Sequence, residues 1–176
     1  MARDFEEVWF VDFEFRAPDG ENPEPRCMVA YGLHSKTLKR IWLQGIKGGQ
    51  SPVDLGDESL YVAYYASAEM GCHLSLDWPL PENLLDLFVE FRVHMNGFNP
   101  QGGFGLLGAM SSFGLGHMAP STKDSMRELA MREGDYTAEE KEALMDYCEE
   151  DVRSLVVLYS KMSHLIDLER ALLRGR

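Results

Sequence analysis

Residues 8–16 read VWFVDFEFR. β-branched and aromatic residues dominate this stretch, the composition of a buried strand. Two acids, Asp12 and Glu14, interrupt it two positions apart. Side chains alternate along a strand, so Asp12 and Glu14 share one face, while Val11, Phe13 and Phe15 share the other. Two carboxylates side by side on an apolar strand repel each other and are poorly solvated. Such a pair needs either a cation or a proton, or else a face open to solvent at a sheet edge.

The elements around this strand suggest its setting. PDGENPEP (18–25) is dense in turn formers and reads as a loop. CMVAYGL (27–33) and LKRIWL (38–43), joined by residues 34–37, read as a hairpin beside the first strand. Residues 44–59 read mostly as a connection, and LYVAYYA (60–66) as a fourth strand. That strand runs into a short helix over SAEMGCHLSL (67–76), with Ser67 as its candidate cap. Residues 81–95 carry Leu84, Leu87, Phe88 and Phe91 at helical spacing and predict one helix. A glycine-rich loop, NGFNPQGGFG (96–105), leads to a small-residue helix near 106–113 and another over 122–133. TAEE (137–140) matches a capping box and opens a long helix to about residue 162, with a short helix over 164–173 closing the chain. Strands first and helices after predict a single α/β domain, residues 1–176, with a mixed central sheet flanked by helices.

Composition narrows the function. With 45% hydrophobic and 26% charged residues in a chain of 176, a folded core is expected. Against 17 Lys and Arg stand 29 Asp and Glu, a net charge of -12, which repels phosphate polymers and attracts divalent cations. A DNA-coating protein is excluded on that ground. Cys27, Cys72 and Cys148 are widely spaced, which fits neither a disulfide scaffold nor a zinc cage and suits a reducing cytoplasm. The apolar runs fall short of the roughly 20 residues of a membrane helix, and the charged start MARDFEEV does not read as a signal peptide. NPQGGFG lacks the GK[ST] of a phosphate-binding loop, and the five histidines show no zinc-ligand spacing.

Two further acidic groups stand out. In YCEED (147–151), residues four apart share a helical face, so the Tyr147 phenol and the Asp151 carboxylate project together; both also fit a core-edge aromatic and a surface charge. Glu142, Asp146, Glu149 and Glu150 read as a solvated face. Glu69 follows the buried 60–66 strand, at the kind of strand end where sites open. Asp77 and Asp86 compete for that role, Asp86 also suiting the negative preference of a helix N-terminal half.

The order of these motifs resembles the DEDDy 3′–5′ exonucleases: D-x-E on the first strand, an acid after the fourth strand, Y-x-x-x-D on a late helix. The resemblance runs from about residue 8 to residue 162. It is nearest to the proofreading domain of phage-like family A DNA polymerases, where a junction like AHNAxFE precedes a helix carrying an aspartate. Here the junction reads AYYASAE (63–69), the later segment has Asp86 and Leu87, and KDSMRELA (123–130) and YCEEDV (147–152) also look like that group. Two positions depart from it: Glu69 stands where an aspartate is usual, and Tyr65 where an asparagine is typical.

The resemblance implies an RNase H-like fold and hydrolysis of the terminal phosphodiester of single-stranded DNA 3′ ends to nucleoside 5′-monophosphates. It implies two Mg²⁺ or Mn²⁺ ions, about 3.5–4 Å apart in such sites, and hard carboxylate oxygens suit them. Asp12 is then the bridging ligand, Glu14 and Asp151 hold the nucleophile-side ion, and Glu69 the leaving-group ion. Tyr147 orients the attacking water, since a phenol of pKa near 10 is a poor base at neutral pH. Phe15, Tyr64, Tyr65, Phe98 and Phe104 are candidates for stacking frayed bases, though core packing explains most of them. Arg16 and Lys123 are candidate phosphate contacts. Two other readings use the same sequence: a ribonuclease-D-like RNA trimming enzyme, and a scaffold that keeps the fold without activity. The family likeness runs to LERALLRGR (168–176), where a polymerase segment would follow, so a DNA polymerase module in cis or trans is the expected partner. The expected compartment is the cytoplasm of a bacterial or phage-infected cell.

Overall fold

The computed structural model describes residues 4–18, 20–116 and 120–175, the side chains of 120–123 excepted. Five strands form one sheet: β1 (Glu7–Arg16), β2 (Glu24–Gly32), β3 (Leu38–Trp42), β4 (Ser59–Ala63) and β5 (Leu84–Asp86). Their order is β3-β2-β1-β4-β5. β1 pairs antiparallel with β2 and parallel with β4; β2–β3 is antiparallel and β4–β5 parallel. The sheet is therefore mixed, with β1 at its centre. Six helices accompany it among the described residues: α1 (Ser67–Ser75), α2 (Leu87–Met95), α3 (Leu106–Ser112), α4 (Pro120–Met131), α5 (Ala138–Met162) and α6 (Leu168–Arg174). None of them is long and apolar enough to cross a membrane.

The alternation read in β1 divides the core in two. Val8 and Phe10 join Leu144, Cys148, Val152, Leu155 and Leu158 of α5 on one face. Trp9, Val11 and Phe13 join Cys72, Leu76 and Trp78 on the other. Burying these side chains on both faces supplies the main stabilisation of the domain. α5 begins at the capping box: the Thr137 side chain accepts from the Glu140 amide, and the Glu140 carboxylate accepts from the Thr137 amide. At the C-terminal end of α4, the buried Arg26 donates to the carbonyls of Ala130 and Arg132, at 3.4 and 3.1 Å. That ties the helix to β2.

Four sequence expectations need correction. Residues 81–95 are not one helix. Leu84–Asp86 form β5, because their amides and carbonyls complete the open edge of β4, and helix starts only at Leu87. Ser67 does not cap α1; the N-cap is Ala66, with no side-chain cap bond. The fourth strand stops at Ala63, where the chain turns through Tyr64 and Tyr65. Of the acids read as a solvated face of α5, Glu142, Asp146 and Glu150 are exposed as expected, but Glu149 is largely covered. Arg40 of β3 pairs with Glu142 and Asp146 at 2.7 Å and with Glu149 at 3.1 Å, clamping α5 over the sheet.

Candidate metal centre

β1 delivers Asp12 and Glu14 to the face covered by α5, and one turn of α5 delivers Tyr147 and Asp151 to meet them. Carboxylate oxygens of Asp12, Glu14 and Asp151 all lie within 4.8 Å of one another. Asp12 and Glu14 are partly exposed and Asp151 is 8% exposed, so the cluster opens to solvent on one side. Three anions this close repel strongly unless a cation or protons intervene. Carboxylates alone, with no sulfur or imidazole in the cluster, match hard divalent cations.

Tyr147 stands over this group. Burial, the charges of Asp151, Glu14 and Asp12, and a hydrogen bond with Asp151 push its phenol above its ordinary range. A phenol held in that direction is protonated at neutral pH and donates a hydrogen bond. Cys148, which the sequence reading passed over, approaches from beneath. Its buried thiol contacts both the Asp12 carbonyl and Asp12 Oδ2 at 3.3 Å. Burial, a hydrogen bond with Cys27 and the nearby Asp12 charge all push the thiol pKa up, so it stays protonated and donates. The signal available in sequence was its place on the buried stripe of α5, next to Tyr147.

Glu69, in the first turn of α1, lies outside the 4.8 Å group but within electrostatic reach of it. It is 3% exposed, and its Oε2 is buried without a hydrogen-bond partner. Burial first, then the charges of Asp12 and Asp86, push its pKa well above the usual carboxylate range; its own amide offsets this only in part. A buried carboxylate with an unpartnered oxygen, within reach of the Asp12 charge, fits a residue that could contribute to holding a cation.

Asp86 does something else. Its Oδ1 accepts from the amides of Tyr65 (3.0 Å), Phe88 (2.9 Å) and Val89 (3.4 Å), and its Oδ2 from Ala66 (3.0 Å). Both oxygens are thus committed to backbone, as the N-cap of α2 and as a tie to the β4–α1 junction. These bonds give Asp86 a structural role that Glu69 lacks. Asp77 sits in the turn after α1, with a positive φ of 55°. Among the basic candidates, Arg16 pairs with Glu24 (3.3 Å) and Glu133 (2.5 Å), while the Lys123 side chain lies outside the described residues. Of the aromatic candidates, Tyr64 is held by a hydrogen bond to the Phe104 carbonyl and Phe15 packs on the core. Tyr65 (54%) and Phe98 (74%) are exposed.

No protein-family model matches the sequence, and no curated protein matches it. Solved structures do match the fold. The crystal structure of the Aedes aegypti Nibbler EXO domain superposes with a TM-score of 0.53, covering 95% of this chain and 84% of that one at 12% identity. The chain has the RNase H-like fold. A mixed sheet flanked by helices, as read from the sequence, is what is found.

Proposed function

We propose that this chain is a divalent-metal-dependent 3′–5′ exonuclease that removes nucleotides from single-stranded DNA ends, proofreading for a DNA polymerase module. The observation that carries the reading is the convergence of Asp12, Glu14 and Asp151 within 4.8 Å, on an exonuclease-type fold. Asp12, Glu14 and Asp151 would hold the cation or cations, with the unpartnered Glu69 carboxylate contributing from the β4–α1 side. Two-ion binding is part of the proposal. Bound there, a divalent cation supplies charge stabilisation for a phosphodiester and acidifies a water.

The protein's own residues do the rest. Tyr147, protonated at neutral pH, would donate a hydrogen bond that orients the attacking water or a scissile phosphate oxygen. Cys148 fixes the rotamer of Asp12 through Oδ2. The acidic surface disfavours long runs of phosphate, which suits an enzyme that grips only a few terminal nucleotides.

A 5′-labelled single-stranded DNA oligonucleotide with Mg²⁺ or Mn²⁺ tests this. Wild type gives a ladder shortening from the 3′ end, and Asp12→Ala lowers the rate by at least ~1,000-fold, as expected when a charge-stabilising element is lost. A matched RNA strand on the same gel distinguishes the RNA-trimming reading. An intact DNA strand with folded, metal-supplied wild type contradicts the proposal.

A further inference from the structure

Tyr65 combines two features a surface tyrosine ordinarily avoids. Its φ is +69°, in the left-handed region that side chains with a Cβ seldom occupy. It is also 54% exposed, so burial of its ring does not compensate the strain. The conformation is enforced from outside: Asp86 accepts hydrogen bonds from the Tyr65 and Ala66 amides, both at 3.0 Å. Asparagine or glycine would adopt this backbone at lower cost and satisfy Asp86 equally well. The fold therefore holds a tyrosine at a place where the fold itself favours another residue. Strain retained in this way points to use of the side chain.

Its surroundings indicate the use. The parallel register of β1 and β4 pairs Phe10 with Val62. Beyond the end of β4 the chain turns, and the Tyr65 amide is held by Asp86, whose charge reaches Glu69, so Tyr65 lies on the Glu69 side of the site. Glu69 follows it by one helical turn. The Tyr65 ring meets Phe88 edge-on, with centroids 5.0 Å apart and planes at 81°, which fixes its direction. The exposed guanidinium of Arg92 lies over the same Phe88 ring (5.6 Å) and over Phe104 (5.4 Å). On a chain of net charge -12, this places a cation and an oriented aromatic together around Phe88, in the first turn of the helix that Asp86 caps. An aromatic face with a cation close by is the chemistry that holds an unpaired nucleotide: the base on the ring, a phosphate near the charge.

We propose that Tyr65 is a substrate-contact residue on which an unpaired base at the end of the single strand stacks. This makes the site selective for frayed or single-stranded ends over paired ones. The inference rests on the nuclease reading above, and the test separates the two. A single-stranded DNA decamer with 2-aminopurine as its 3′-terminal base is mixed with the Mn²⁺-supplied protein in a stopped-flow fluorimeter. Stacking on an aromatic quenches the fluorescence, and release of the 2-aminopurine nucleotide restores it. Wild type and Tyr65→Phe are expected to show both phases. Tyr65→Asn is expected to melt at or above the wild-type temperature, since the backbone strain is relieved. It should lose the quench, raise KM roughly 10- to 100-fold as for one lost base stack, and leave kcat within about threefold. A quench in Tyr65→Asn equal to wild type overturns the Tyr65 assignment, as does no quench in wild type. A Tyr65-dependent quench that never recovers supports Tyr65 as the base contact and contradicts the nuclease reading.

Discussion

At the scale of single residues, the cluster is defined by how each acid is satisfied. Asp86 is saturated by four backbone amides, whereas Glu69 has an oxygen with no partner. The difference predicts opposite outcomes for two substitutions that look alike. Glu69→Gln removes a buried carboxyl whose folded-state pKa is raised. Such a group binds more protons folded than unfolded, so its contribution to stability falls as pH rises from the ordinary carboxylate range through the folded pKa. Without metal at neutral pH, Glu69→Gln should therefore be more stable than wild type, because the amide is neutral at every pH where the buried carboxyl must either ionise or hold its proton against the solvent. At pH 4 the two should converge. Thermal melts in EDTA across that pH range check this, and a variant less stable at every pH would contradict it.

At the scale of elements, the sequence carried the site on two long, regular pieces and lost it on a short one. The period-2 reading of VWFVDFEFR put Asp12 and Glu14 on one face, and the TAEE capping box set the start of α5, so Tyr147 and Asp151 fell on one stripe. Both signals are local. β5 could not be read this way. Three residues are too few to show a period, and Leu84, Leu85 and Leu87 suit a helix equally; only the unpaired edge of β4 decides for a strand. Missing β5 also hid what Asp86 does, because its partners at Tyr65 and Ala66 are 21 and 20 residues away. Asp86→Ala uncaps α2 and frees the strained junction at once. It should cost about 2–3 kcal/mol, somewhat more than an ordinary N-cap. Urea unfolding would show it as a lower midpoint at unchanged m-value. A loss below 0.5 kcal/mol, on the order of measurement error, would mean that the four bonds matter little.

At the scale of the whole molecule, the fold holds its acidic face together with internal cations. Arg40 clamps three carboxylates of α5 against β3. Arg174 of α6 makes a two-point contact, 2.8 and 2.7 Å, with the 4%-exposed Glu90 of α2. Just beyond it, Gly175 lies so close to β5 that a Cβ there would collide with the Leu84 carbonyl oxygen. The last helix thus covers the edge strand. Apart from these pairings, Asp12, Glu14 and Asp151 bring three carboxylates within 4.8 Å of one another on the face of β1 under α5, an arrangement that attracts divalent ions. General attraction by a net charge of -12 and a built site differ in one respect: only the site depends on one side chain. The decisive measurement is calorimetric titration of Mn²⁺ into wild type and Asp12→Ala at about 0.3 M salt, where surface attraction is largely screened. Saturable binding by wild type, weakened at least ~10-fold in a still-folded Asp12→Ala as for a lost charged ligand, is the result expected. Identical isotherms for the two proteins would contradict a metal centre at these carboxylates.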